Sequence, residues 1–204
     1  LQAERLAASA MPQEARARLG ALSAGLARAR ILLDQLLTLA RAQESGGEQP
    51  TRVPLKKAIQ DVLEDMVPLA EAKGIDLGVV GDADAPIGGR AMDVHILVKN
   101  LVDNAIRYTP EGGRIDIGVA AAGERIVLDV DDTGPGIPPA ERERVFDPFY
   151  RVLGSGEIGS GLGLAIAASI ADRIGATISL LDRPDGAPGL RARVVFPTGA
   201  PPAR

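Results

Sequence analysis

The stretch Asn100-Leu101-Val102-Asp103-Asn104-Ala105-Ile106-Arg107-Tyr108 mixes apolar and polar side chains with the period of a helix. At about 100° per residue, Asn100, Asn104, Arg107 and Tyr108 fall within roughly one-third of the circumference. Val94, Leu97, Val98, Leu101 and Ala105 form the adjoining apolar arc, the side expected to face a sheet. Two amides, a guanidinium and a phenol thus line one edge of a buried helix. A solvated polar face would show the same spacing. Asparagine is nevertheless a poor mid-helix residue unless its amide has a task, because its side chain competes for backbone hydrogen bonds.

Outward from this helix, which is expected over 93–108, helical and strand patterns alternate. Residues 52–55 suit an edge strand, 56–72 a helix and 75–80 a strand. Residues 114–120 and 125–130 suit a hairpin turning near Ala122-Gly123. A helix over 161–174 precedes strands near 176–181 and 190–196. Several neighbouring strands are joined by short turns. The expected fold class is α+β, a two-layer α/β sandwich on a mixed, largely antiparallel sheet.

Before this domain, residues 1 to about 45 are rich in Ala, Leu and Arg, which favour helix. Leu19, Leu22, Leu26, Ala29, Leu33, Leu36 and Ala40 follow alternating steps of three and four, a heptad seam that demands a partner helix. An internal core stripe and one half of an intermolecular four-helix bundle both satisfy it. Ala10-Met11-Pro12 marks a turn, so the segment is expected as a helical hairpin. Ser45-Gly46-Gly47 ends it. The expected organisation is a hairpin over 1–46, a linker over 47–51, a folded domain over 52–197 and a disordered Pro-rich tail over 198–204.

Composition narrows the function. The 204 residues are 46% hydrophobic and 25% charged, which suits a soluble globular chain. A net charge of −4 and 2% aromatic residues argue against a nucleic-acid surface, which calls for a basic face and stacking platforms. The absence of cysteine removes disulfides and thiolate zinc sites. No stretch approaches the ~20 apolar residues that cross a bilayer. The chain starts at Leu1 rather than Met, and the expectation is a piece of a longer protein whose membrane anchor lies elsewhere.

Two glycine-rich motifs add to the asparagine helix. Asp131-Asp132-Thr133-Gly134-Pro135-Gly136-Ile137-Pro138 follows a strand, where glycines permit close approach to a flat ligand and a carboxylate can accept the exocyclic amine of adenine. Gly159-Ser160-Gly161-Leu162-Gly163-Leu164-Ala165 opens a helix, whose free N–H groups and dipole attract anions. No strand leads directly into it, so it is not a dinucleotide-binding turn. It follows the glycine-rich stretch 152–158, a placement that suggests a lid over phosphates.

In order and spacing these motifs resemble the ATP-binding domain of bacterial two-component sensor histidine kinases. Asn100 to Tyr108 looks like the family's N box, Asp132 to Gly136 the first glycine box, Phe146 to Arg151 the F box and Gly159 to Gly163 the second glycine box. The resemblance covers about residues 52–197 and implies the histidine-kinase and gyrase type of ATP-binding fold. It implies that Asn104 binds Mg²⁺ and that Asn100 helps hold metal and phosphates, with Arg107 on phosphate oxygens. Tyr108 would pack near the adenine and Asp132 would read its amine. Gly134 and Gly136 would clear space for the ring, and Ile137 counts among the nucleotide-binding residues. Gly159, Gly161, Leu162 and Gly163 would offer backbone N–H groups to phosphates. Phe146 and Phe149 are either lid anchors or ordinary core aromatics.

The implied reaction moves the γ-phosphoryl group of ATP to a histidine on the dimerisation bundle, for relay to an aspartate of a response-regulator receiver domain. The implied assembly is a homodimer through the N-terminal helices. The implied location is the cytoplasmic portion of an inner-membrane protein. The pattern departs from the family in two respects. The only histidine, His95, lies about 140° from Asn100 and about 180° from Asn104 around the helix, with no phosphoacceptor sequence around it. The chain is therefore expected to bind ATP and not to autophosphorylate on a bundle histidine. The stretch after Arg151 also lacks the basic residues the family often carries there. ATP hydrolases of the same fold use a glutamate where this chain has Asn100, which cannot act as a base. A non-catalytic nucleotide-binding dimerisation module is the other alternative.

Overall fold

A computed structural model describes residues 51–81, 85–152 and 160–197, together with Arg18, Leu22, Gly25, Leu36 and Leu37. The chain divides into two compact units, Leu1–Thr38 and Leu39–Arg204. In the first, the five described residues are helical, and Leu22, Leu36 and Leu37 are exposed. The rest of the heptad seam, the expected 10–12 turn and the 198–204 tail lie outside the described residues.

The second unit runs β1 (Thr51–Pro54), α1 (Leu55–Ala72), β2 (Asp76–Val80), β3 (Pro86–Gly89), α2 (Ala91–Tyr108), β4 (Arg114–Ala122) and β5 (Arg125–Asp132). Two 3-10 turns, Pro139–Glu141 and Arg144–Phe146, then lead towards α3 (Gly163–Arg173), β6 (Thr177–Leu181) and β7 (Leu190–Pro197). Five strands form one sheet in the order β2-β4-β5-β7-β6. All pairings in it are antiparallel except β2 with β4. The expected edge strand pairs with β3, which sequence pattern did not reveal, in a separate two-stranded sheet.

Strand alternation sorts the two faces of the main sheet. Ile115, Ile117, Ile126, Leu128, Val130, Ala192, Val194 and Phe196 are buried inward. The outer face carries Asp116, Asp129, Asp131, Arg191 and Arg193. Arg191 grips Asp131 through Nε at 2.7 Å and Nη2 at 2.6 Å, and Arg193 grips Asp129 at 2.7 and 2.8 Å. Asp131 pairs with Arg191 and Asp129 with Arg193 across the β5–β7 ladder, so these forks reinforce its register.

Helix α2 packs against both α1 and α3 and touches β5. Its predicted apolar arc is buried throughout, with Val102 and Ile106 widening it. Helices α1 and α3 stop at Gly74 and Gly175, whose φ angles of 63° and 72° suit a left-handed cap. Arg173 in the last turn of α3 pairs with Asp93 in the first turn of α2, and both side chains are largely buried. The two helices are thereby tied at the end remote from the glycine-rich start of α3.

Candidate functional site

The start of α3 lies against the polar edge of α2. A Cβ on Gly163 would sit 3.2 Å from Nδ2 and 3.3 Å from Oδ1 of Asn104, and 3.4 Å from Oδ1 of Asn100. A side chain at Gly163 would make both asparagine amides give way by a few tenths of an ångström. Asn100 donates through Nδ2 to the carbonyl of Ile96 at 2.8 Å, which leaves Oδ1 on the side of Gly163. Leu162, fully buried, anchors the turn, and its N–H donates to Oγ of Ser160 at 3.2 Å. The first-turn amides of α3 have no intrahelical acceptors, so two amide side chains and a helix N-terminus share one place. Arg107 reaches back along α2 to Asp103 at 2.9 Å.

Asp132 occupies the last position of β5 on the inward side and is only 6% exposed. Its Oδ1 accepts the N–H of Gly134 at 2.8 Å. Burial pushes its carboxyl up from 3.8 to about 6, while the Gly134 and Leu190 amides and the charge of Arg183 pull it down. A buried acceptor held on two backbone amides is suited to read a ligand N–H donor.

The glycines around Asp132 are demanded by the protein itself. A Cβ on Gly134 would lie 2.8 Å from both Oδ1 of Asp132 and the carbonyl oxygen of Tyr108. One on Gly136, whose φ is 73°, would lie 2.8 Å from the carbonyl oxygen of Gly189. The loop is thus packed between the end of α2 and the turn before β7. Ile137 is half-buried against the core, and its carbonyl accepts Nε of Arg142 at 2.9 Å. Tyr108 is half-buried at the end of α2.

The two phenylalanines differ. Phe146 packs on the core, whereas Phe149 is 58% exposed and holds a φ of 68°, unusual for a non-glycine residue. The N–H of Phe149 donates to the carbonyl of Gly161 at 3.0 Å, joining the F box to the second glycine box. Gly161, with φ 72°, has no room for a side chain, since its Cβ would meet backbone of Phe149 and Tyr150 at 2.8–2.9 Å. Tyr150 donates its hydroxyl proton to Glu141, and the guanidinium of Arg144 lies 4.4 Å from its ring centre. Gly159 lies outside the described residues. His95 is half-buried on α2.

Among the described residues no group of three or more His, Cys, Asp or Glu side chains could hold a metal by itself. The neighbouring amide oxygens of Asn100 and Asn104 fit a hard cation that draws its remaining ligands from phosphates and water. Sequence reasoning missed Lys73, Thr109 and Gly189, which approach the site only through the fold. A Cβ on Gly189 would lie 2.0 Å from the carbonyl oxygen of Asp132.

Residues 89–200 match the family described as Histidine kinase-, DNA gyrase B-, and HSP90-like ATPase. The chain is 34% identical over 178 residues to the swarming motility regulation sensor protein RssA of Serratia marcescens, covering 83% of this chain and 37% of that protein. It is 34% identical over 185 residues to the sensor protein QseC of Escherichia coli K12, covering 90% of this chain and 40% of QseC. The chain therefore spans about two-fifths of the length of these relatives. Among solved structures, the mycobacterial sensor histidine kinase MprB superposes with a TM-score of 0.63 at 30% identity, covering 76% of this chain and 99% of that one. Full-length ShkA in complex with AMPPNP gives 0.77 at 27% identity, covering all of this chain and 43% of ShkA.

Proposed function

Because the chain belongs to the histidine kinase-, DNA gyrase B- and HSP90-like ATPase family, we propose that it is the Mg-ATP-binding catalytic region of a sensor histidine kinase. The observation that carries this reading is the meeting of Asn100 and Asn104 with the start of α3 at Gly163. Asp132 supplies a buried acceptor at the end of β5.

Asp132 accepts the adenine amine, and Tyr108 packs beside the base. Asn104, with Asn100, holds Mg²⁺, which when bound neutralises phosphate charge and orients the triphosphate. The α3 N-terminus around Gly161, Leu162 and Gly163 and the guanidinium of Arg107 bind phosphate oxygens. Phosphoryl transfer of this kind rests on positioning and charge stabilisation, and none of these residues needs to act as a base. Asn100 stands where a hydrolase of this fold would carry a carboxylate, which favours transfer to a protein side chain over hydrolysis.

The acceptor is a histidine on a dimerisation bundle of which residues 1–46 form part, and the phosphoryl group passes on to a response-regulator aspartate. Two copies pair through the exposed leucines of the helical segment. Among the described residues no helix is long and apolar enough to cross a membrane. The chain alone does not autophosphorylate on a bundle histidine.

Calorimetric titration with AMPPNP, with and without Mg²⁺, tests the site beside an Asn104→Ala variant. Metal-dependent binding that weakens in the variant supports the reading; absence of binding to the unaltered chain overturns it. Transfer from ATP to a histidine-bearing bundle supplied in trans separates a kinase from a non-catalytic binding module.

A further inference from the structure

Helix α2, which carries the nucleotide-facing residues, ends against a lysine that lies just past the end of α1. Lys73, the residue following α1, donates through Nζ to the carbonyl oxygens of Ile106 at 3.0 Å, Arg107 at 2.9 Å and Thr109 at 3.0 Å. An ammonium group has three protons, and all three are matched here. The last carbonyls of a helix have no intrahelical partners and carry the negative end of its dipole, so a cation is stabilised there.

The carbonyl of Tyr108, left out of this set, faces Gly134, where a Cβ would lie 2.8 Å from it. The end of α2 is therefore clasped between Lys73 and the glycine loop that carries Asp132. Backbone bonds complete the clasp: Gly112 N–H donates to the Lys73 carbonyl at 3.2 Å, and Asp76 N–H to the Gly113 carbonyl at 2.9 Å.

We propose that Lys73 is a positioning residue for the adenine end of the site, holding the last turn of α2 so that Tyr108 and the Asp132–Gly134 loop keep their spacing. It rests on the nucleotide-binding reading above. It touches no nucleotide; its effect passes through main-chain carbonyls. Asn104, one turn earlier, lies against the start of α3 at Gly163 and outside the set of carbonyls that Lys73 holds, so Lys73 governs the base and not the metal.

The test compares the full chain with Lys73→Met, which keeps length and loses donors, and Lys73→Arg, which restores donors. ADP and AMPPNP binding are measured by calorimetry with and without Mg²⁺, and amide hydrogen exchange is followed over 106–113. Lys73→Met should weaken both nucleotides alike, by about tenfold, which corresponds to roughly 1.4 kcal/mol. The Mg²⁺ dependence should be unchanged, exchange over 106–113 should accelerate, and Lys73→Arg should recover at least part of both losses. Unaltered ADP affinity in Lys73→Met, or an equal loss of protection throughout the domain, would overturn the proposal. If the unaltered chain binds no nucleotide, the functional reading fails; local exchange then decides whether Lys73 still holds the helix end, and uniform exchange defeats that too.

Discussion

Gly163 and Asn104 stand so close that a single methyl group at Gly163 would touch both atoms of the Asn104 amide, at 3.2 and 3.3 Å. The contact joins the helix bearing the amides to the helix whose N-terminus supplies free N–H groups. A substitution here probes the site without removing any functional group from it.

Gly163→Ala should fold, since alanine is a better helix former and the clash is with a movable side chain. Its urea midpoint should stay close to that of the unaltered chain. Binding of AMPPNP in the presence of Mg²⁺ should weaken by about tenfold, as displacing a liganding group costs on that order. Equal binding by calorimetry would show that the Asn104 amide does not need its observed position.

Asp132 makes the apoprotein sensitive to pH in a defined direction. Its carboxyl titrates at about 6 when folded and near 3.8 when exposed. Between those values the folded protein holds a proton that the unfolded chain has lost. The Asp132 contribution to stability is therefore full below about pH 4 and is lost as pH rises through about 6, by up to about 3 kcal/mol. Asp132→Asn should raise stability at pH 7 by about 1–3 kcal/mol in urea unfolding. The same variant should lose nucleotide affinity, and the unaltered chain should bind less tightly as pH falls below about 6, where the carboxylate becomes protonated.

Two glycines with positive φ should respond differently to alanine. Gly112, at 72°, has nothing within 4 Å of its missing Cβ, so Gly112→Ala should cost about 1 kcal/mol of backbone strain. A Cβ on Gly189, whose φ is 143°, would lie 2.0 Å from the Asp132 carbonyl oxygen and 2.4 Å from Cδ of Arg183. Gly189→Ala should cost about 3 kcal/mol or more and disturb Asp132 with it. Thermal melts of the pair check both, and equal melting temperatures would refute the difference.

Arg173→Met leaves the buried Asp93 carboxylate without its ion-pair partner, with the charge of Arg90 offsetting part of its burial. It should destabilise by about 1–3 kcal/mol, because a buried charge that has lost its paired partner costs more than the pair itself contributes. Replacing both partners, as in Asp93→Leu with Arg173→Met, should recover part of that loss in chemical denaturation.

The helices were legible in the sequence because their burial repeats with a local period. Val94, Leu97, Val98 and Leu101 can be assigned to one face without knowing what covers them. β3 was not, since Pro86-Ile87-Gly88-Gly89 has no strand pattern of its own and exists through pairing with β1. The asparagines stood out as amides within a helix, and Asp132 as a carboxylate at a strand end before two glycines. Lys73 did not: a lysine near a helix end is ordinary, and its acceptors lie 33 to 36 residues further on.

The charge ladder on the water side of the sheet reaches further than its own modest energy. Strand β5 shows Asp129 and Asp131 to solvent and Asp132 to the interior, and a slip of one residue against β7 would exchange those faces. The solvent-facing Asp129–Arg193 and Asp131–Arg191 forks thus also fix which carboxylate is delivered to the buried side.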